Sequence, residues 1–189
     1  GGTVGFSGAL DVTHTGKLTL PAMGSLTSLL ARATGDISLS GNIAVSGSGN
    51  AITLAAGGDF LNSGNYTLSP GSGRWLVYSQ DPASIVKGGL SAGFKRYNCT
   101  FGAGCLTAGT TIPGTGDGFV YSIAPVITVT PDGQTVTYGN AGYTSTLSGF
   151  VDGDTVADTP GTIALSVGGA TSTSGNPIVG THELTYTGG

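Results

Sequence analysis

The sequence predicts an all-β protein in two parts, the terminal coils of a parallel β-helix followed by a small β domain. Three observations predict it. The 189 residues are 38% hydrophobic with a mean hydropathy of +0.22, yet only 8% charged, and 36 are Gly. That balance excludes disorder, which needs low hydrophobicity. The apolar residues are mainly Val, Ile, Leu, Tyr and Phe, set singly or in pairs among Thr and Ser, which is strand chemistry broken by turns. Charge is also partitioned along the chain. Residues 1–96 hold all six Lys and Arg and four Asp, whereas residues 97–189 hold six acids and no Lys or Arg. The partition marks a boundary near 97–124.

The first part, 1–80, reads as β-helix coils. Its rungs are KLTL (17–20), DISLSGNIAVSG (36–47), NAITLAAGGDFLNSG (50–64), NYTLSPGSG (65–73) and RWLVYS (74–79). Ile37/Leu39, Ile43/Val45, Ile52/Leu54, Tyr66/Leu68 and Trp75/Val77 are each two apart, so each pair can point to one face of a strand. Gly, Asn and Ser corners separate the rungs, as stacked coils require. An antiparallel sandwich would use the same alternation, and the irregular coil lengths leave it open. LTSLLARATG (26–35) carries a helix-like apolar cluster and reads as a single helical turn or a loop excursion.

Residues 81–123 read as a Gly-rich connector opened by Asp81-Pro82. In YNCTFGAGC, Cys99 and Cys105 are close enough to close a small disulfide ring, given an oxidising compartment. Free thiols are the alternative. Zinc is excluded, because two Cys at this spacing lack the other ligands. Residues 124–189 read as a β domain of four to five strands. VITVT (126–130) and TVTY (135–138) flank the PDGQ turn, and TIALSVGG and HELTYTGG supply further strands.

These residues also carry a resemblance. GRWLVYSQDPAS (73–84) with GGL (88–90) and KRYNCTFGAGC (95–105) resembles a segment common in the filamentous haemagglutinin family of bacterial adhesins. VTYGNAGYTSTLSGFVDGDT (136–155) is similar to the YGX-type MBG domain. The resemblance covers roughly 35–189. It implies a right-handed β-helix, an MBG-like unit of β-sandwich or β-grasp-like form, and two-partner secretion of the parent chain through an outer-membrane export partner. It further implies a location at the bacterial surface or in the extracellular matrix. The chain departs from the family in lacking the N-terminal secretion domain. It also stops at TYTGG, where family members continue into another strand, so an open edge is expected. A piece of a longer polypeptide is the expected status of the chain.

The chemistry-bearing residues are few. Most acids sit in Gly- or Pro-flanked turns, there are two His and no GxSxG, and no enzyme is expected. VDGDTVAD sets Asp152, Asp154 and Asp158 in a loop with the D-x-D opening of a calcium site. A plain turn whose carboxylates cap backbone N–H groups is the alternative, since no Glu closes a twelve-residue loop. Trp75, Tyr78 and Tyr143 are candidate stacking surfaces for sugar rings. Against that, Trp75 with Val77 is expected to close the last coil. The acidic, stripe-free charge excludes nucleic acid as a partner. No apolar run reaches membrane-helix length, so no membrane insertion is expected. The expected work is adhesive and mechanical, toward an extracellular polysaccharide, a neighbouring cell surface or sister molecules. The alternatives are a carbohydrate-binding module, a passive stalk or a self-assembling filament subunit.

Overall fold

The structure, a computed structural model, describes residues 7–140, 142–159 and 161–188. The chain forms two compact units, Gly1–Ala124 and Pro125–Gly189. Among the described residues no helix is long and apolar enough to cross a membrane.

The first unit contains β1 (Gly8–His14), β2 (Leu18–Leu20), β3 (Met23–Ala33), β4 (Ile37–Leu39), β5 (Ile43–Val45), β6 (Asn50–Ala56), β7 (Phe60–Leu61), β8 (Leu68–Ser69) and β9 (Arg74–Ser79). After these come β10 (Phe94–Arg96), β11 (Cys99–Thr100), β12 (Gly104–Cys105) and β13 (Gly118–Tyr121). They stack into a β-solenoid of about five turns. One ladder runs β1-β3-β6-β9-β13-β10, a second β2-β4-β7, and a third joins β5 and β8 to the start of β3. Every one of these pairings is parallel, so the sandwich alternative falls.

The two-apart apolar pairs become columns. Leu10 pairs with Leu29, Leu29 with Ile52, and Ile52 with Trp75, while Ala31, Leu54, Val77 and Phe119 form the neighbouring column. Leu18, Ile37 and Phe60 form a column on the second ladder. Ile37, Ile52, Leu54, Phe60 and Val77 are fully buried. Each such side chain contributes roughly 1.5–3 kcal/mol by leaving water.

Residues 26–33 correct the sequence reading. They lie within β3, the longest strand, paired to β1 on one side and β6 on the other. Leu and Ala favour helix locally, but Leu26, Leu29, Ala31 and Ala33 are all buried in the stack. Tertiary pairing on both edges overrides propensity here. Ser25, at φ 63°, sits at the register irregularity between Met23 and Leu26 in the β3–β5 pairing.

One corner carries an aspartate ladder. Asp36 Oδ1 accepts the Asp59 N–H at 3.1 Å, and Asp59 Oδ1 accepts the Asp81 N–H at 3.0 Å. Asp81 Oδ1 ends the series on the Ala83 N–H at 2.8 Å. The Asp36 and Asp59 carboxylates therefore each tie their coil to the next, while Asp81 closes a local turn.

The far end of the solenoid differs from expectation. Trp75 does not close it. β13 pairs with β9, and β10, although earlier in sequence, lies outside β13. Trp75 is 3% exposed, with Phe119 edge-on at 5.0 Å. Tyr121 stacks on Phe119 at 6.3 Å and Tyr97 on Tyr121 at 5.3 Å. Phe119, Tyr121 and Tyr97 thus cover the interior above Trp75. The stretch expected as a connector supplies these strands and belongs to the same sheet.

The opposite face of that sheet carries a second small core. Leu76, Tyr78 and Val120 pack there with Ala55, Cys99, Cys105, Phe94 and Ile112. This is why RWLVYS reads as a continuous apolar run: Trp75 and Val77 face inward, while Leu76 and Tyr78 lie beneath the β11–β12 hairpin. The Phe94 ring lies across Gly118, where an added Cβ would meet it at 2.1 Å.

The second unit consists of two antiparallel hairpins, β14 (Thr128–Pro131) with β15 (Ser145–Ser148) and β16 (Ala164–Val167) with β17 (Leu184–Gly188). TVTY (135–138), expected as a strand after the PDGQ turn, forms none. Instead Asp132 anchors a long loop. Its N–H donates to the Thr144 carbonyl at 3.0 Å, and its carboxylate accepts the Thr144 and Thr146 hydroxyls at 2.8 and 2.7 Å. Val129, Leu147, Leu165, Val167 and Leu184 alternate to one side and stay half-buried.

Candidate functional site

The second unit holds a cleft of about 460 Å³ between the 132–144 loop and the 177–182 segment. Its size falls within the range of small-molecule sites, roughly 300–1,000 Å³. Both walls are fixed by side-chain bonds. On the loop side, Asp132 is clamped to Thr144 and Thr146 as above. The Thr146 hydroxyl, then that of Thr144, holds the Asp132 carboxyl below its ordinary range, so the group stays ionised at neutral pH. Tyr138 donates to Ser172 Oγ at 2.7 Å and lies 3.0 Å from Ser174 Oγ. Those contacts, Ser172 first, lower its phenol from the usual value.

On the opposite wall, His182 lies between two carbonyls, with Nδ1 2.9 Å from Gly168 O and Nε2 2.6 Å from Ile178 O, and its neutral ring donates to one of them. Val136, Val167 and Leu184 supply an apolar surface, and Gln134, Asn140 and Tyr143 supply polar groups. Asn140 Oδ1 accepts the Gly142 N–H at 3.0 Å, which orients the amide and leaves its NH₂ toward other partners. The unit has five acids and no Lys or Arg. The arrangement suits hydrogen bonding to a neutral polar ligand. It offers no Lys or Arg to an anion.

The sequence-derived candidates scatter. Tyr143 lines this cleft. Trp75 and Tyr78 belong to the first unit and are 3% and 8% exposed, so neither offers a ring face to a sugar. Tyr78 meets Phe101 edge-on at 5.3 Å, and burial raises its phenol above the ordinary value. Cys99 and Cys105 face each other across the β11–β12 pair and are bonded, S–S 2.01 Å.

Asp158 accepts the Thr155 N–H and hydroxyl at 2.8 and 3.0 Å, capping a 3-10 turn at Val156–Asp158. Asp152 lies at the turn with φ 55°, and the Asp154 N–H donates to Val151 O at 3.0 Å. Among the described residues no three metal-ligating side chains are grouped to hold an ion.

Sequence reasoning missed Asp132, Gln134, Asn140 and His182 as members of one site. Asp132 was legible only as a turn residue, and nothing local brings His182 to the 132–144 loop. No family model, curated protein or solved structure matches the chain.

Proposed function

We propose that this chain is a structural and adhesive segment of a large exported bacterial surface protein of the filamentous haemagglutinin type. The observation that carries the reading is the stacked solenoid with its covered end. Successive coils are joined by backbone hydrogen bonds and by the Asp36–Asp59–Asp81 ladder, and each adds about 4.8 Å to a stiff rod. Such a stack is a stiff element whose apolar interior is buried coil upon coil.

Two features agree with export. The Cys99–Cys105 disulfide persists only where conditions are oxidising, and the low charge depends little on ionic strength. Right-handed winding, MBG identity for Pro125–Gly189 and two-partner secretion are parts of the same proposal. The work is attachment, with no catalytic role. Filament growth at the β10 edge is disfavoured, because Lys95 and Arg96 stand on that strand.

Beads coated with the purified segment test the reading in a flow chamber against whole bacteria and against exopolysaccharide-coated glass. The expected result is saturable attachment that persists under shear. A folded, monomeric segment that never attaches would remove the adhesive half of the proposal. Unfolding of the first unit at forces typical of an unsupported loop would remove the structural half.

A further inference from the structure

We infer that the cleft of the second unit binds a neutral saccharide, with Tyr143, Gln134 and Asn140 as its principal contacts. The inference deepens the adhesive reading by naming its ligand class. Three observations carry it. The cleft, about 460 Å³, mixes hydroxyl and amide groups with an apolar surface of Val136, Val167 and Leu184. A sugar ring presents that combination, with hydroxyls around its rim and C–H bonds on its face.

The polar groups also have capacity left. The Tyr143 hydroxyl makes no hydrogen bond within the described protein, and Asn140 uses its Oδ1 but not its NH₂. Gln134 makes one long contact, 3.4 Å between Oε1 and the Thr144 hydroxyl, and its NH₂ has no partner among the described residues. Asp132, ionised and fixed, has acceptor capacity beyond its two threonines for sugar hydroxyls.

The third observation is charge. Asp132, Asp152, Asp154, Asp158 and Glu183 stand in a unit without Lys or Arg. Uronic and sialic acids would meet the Asp132 carboxylate in the cleft and find no Lys or Arg to pair with. An extended apolar peptide would leave the amide and carboxylate groups of the cleft desolvated without partners. Neutral hexoses and N-acetylhexosamines meet neither objection. The walls are held in place before binding by the Asp132, Tyr138 and His182 contacts, so little ordering cost falls on the ligand.

The test titrates the full chain with neutral oligosaccharides, uronate oligosaccharides and an alternating Val-Thr peptide, followed by amide chemical shifts. Neutral sugars are expected to bind at millimolar concentration, shifting residues 132–144 and 178–184. Tyr143→Ala is expected to weaken binding about tenfold, and Gln134→Ala or Asn140→Ala about fivefold each. Tyr143→Phe, which keeps the ring, should show a smaller loss should the alanine variant disturb the loop. Tyr186→Phe, on β17 and outside the cleft, should bind as the parent chain does.

No shift with any neutral sugar, or preference for uronates or for the peptide, overturns the inference. Attached beads whose adhesion is unchanged by Tyr143→Ala would leave the adhesive reading standing and remove this site. Sugar binding without bead attachment would do the reverse.

Discussion

The Trp75 N–H donates to Asp117 Oδ1 at 2.8 Å across a sequence separation of 42. Asp117 immediately precedes β13, whose pairing with β9 begins one residue further on, at Gly118 opposite Leu76. The carboxylate therefore satisfies a strand N–H that the incoming strand does not reach. It also fixes where β13 enters, and hence that Phe119 lies against the indole.

Asp117→Ala should cost about 1–3 kcal/mol, because it leaves a mostly dry N–H without an acceptor. Asp117→Asn keeps an acceptor oxygen and should cost less. Urea unfolding followed by the emission of Trp75, the only tryptophan, reads both. Equal stability of Asp117→Ala and the parent chain would show that the contact does not anchor β13.

Phe119→Ala should cost about 3–5 kcal/mol and shift Trp75 emission to the red. Phe119 is 1% exposed and forms the lid over the indole, with the Lys87 ammonium 5.5 Å from its ring centroid. Emission unchanged in the folded variant would mean that other residues exclude water from Trp75.

Acidification should weaken both units. The Lys17 hydrogen bond, then the Asp59 N–H, holds the Asp36 carboxyl below its ordinary value, and Asp132 is lowered by its threonines. A depressed carboxylate stabilises the fold fully above its unfolded value of roughly 3.9, and that contribution is lost as pH falls through the lower folded value. The melting temperature should therefore drop on going below about pH 4. Asp36→Asn should flatten that drop for the solenoid. Lys17, raised by the same partner, acts in the opposite sense, its contribution fading only as alkaline pH passes its folded value. Parallel pH profiles for the parent and Asp36→Asn would refute the assignment.

Much of the solenoid was legible because its interior is written in pairs. Ile37/Leu39, Ile43/Val45, Ile52/Leu54 and Trp75/Val77 each place both members in the buried core. Two things were not legible. Residues 26–33 have helix-forming composition, and only the neighbours β1 and β6, remote in sequence, make them a strand. The order of β13 and β10 depends on Asp117 and on ring stacking between residues far apart, which no local alternation encodes. In the second unit, the Pro131-Asp132-Gly133 signal reads locally as a hairpin turn. Asp132 instead bonds across the strand pair to Thr144 and Thr146, opening the loop that forms the cleft.

The disulfide gives the last test. The ring it closes spans six residues, for which loop closure predicts about 2 kcal/mol. Its larger consequence is local, because the hairpin covers Leu76, Tyr78 and Val120 and follows directly on β10. Trypsin reports on this region, since Lys95 and Arg96 lie in β10 and no Lys or Arg follows Arg96. In the oxidised chain, cleavage at these two sites should be slow, because β10 is paired to β13 and Arg96 Nε donates to Thr111 O at 3.0 Å. Reduction, or Cys99→Ala with Cys105→Ala, should speed that cleavage several-fold and release 97–189 as one fragment. The same rate with and without the disulfide would mean that β13 and the Arg96 contact hold β10 unaided.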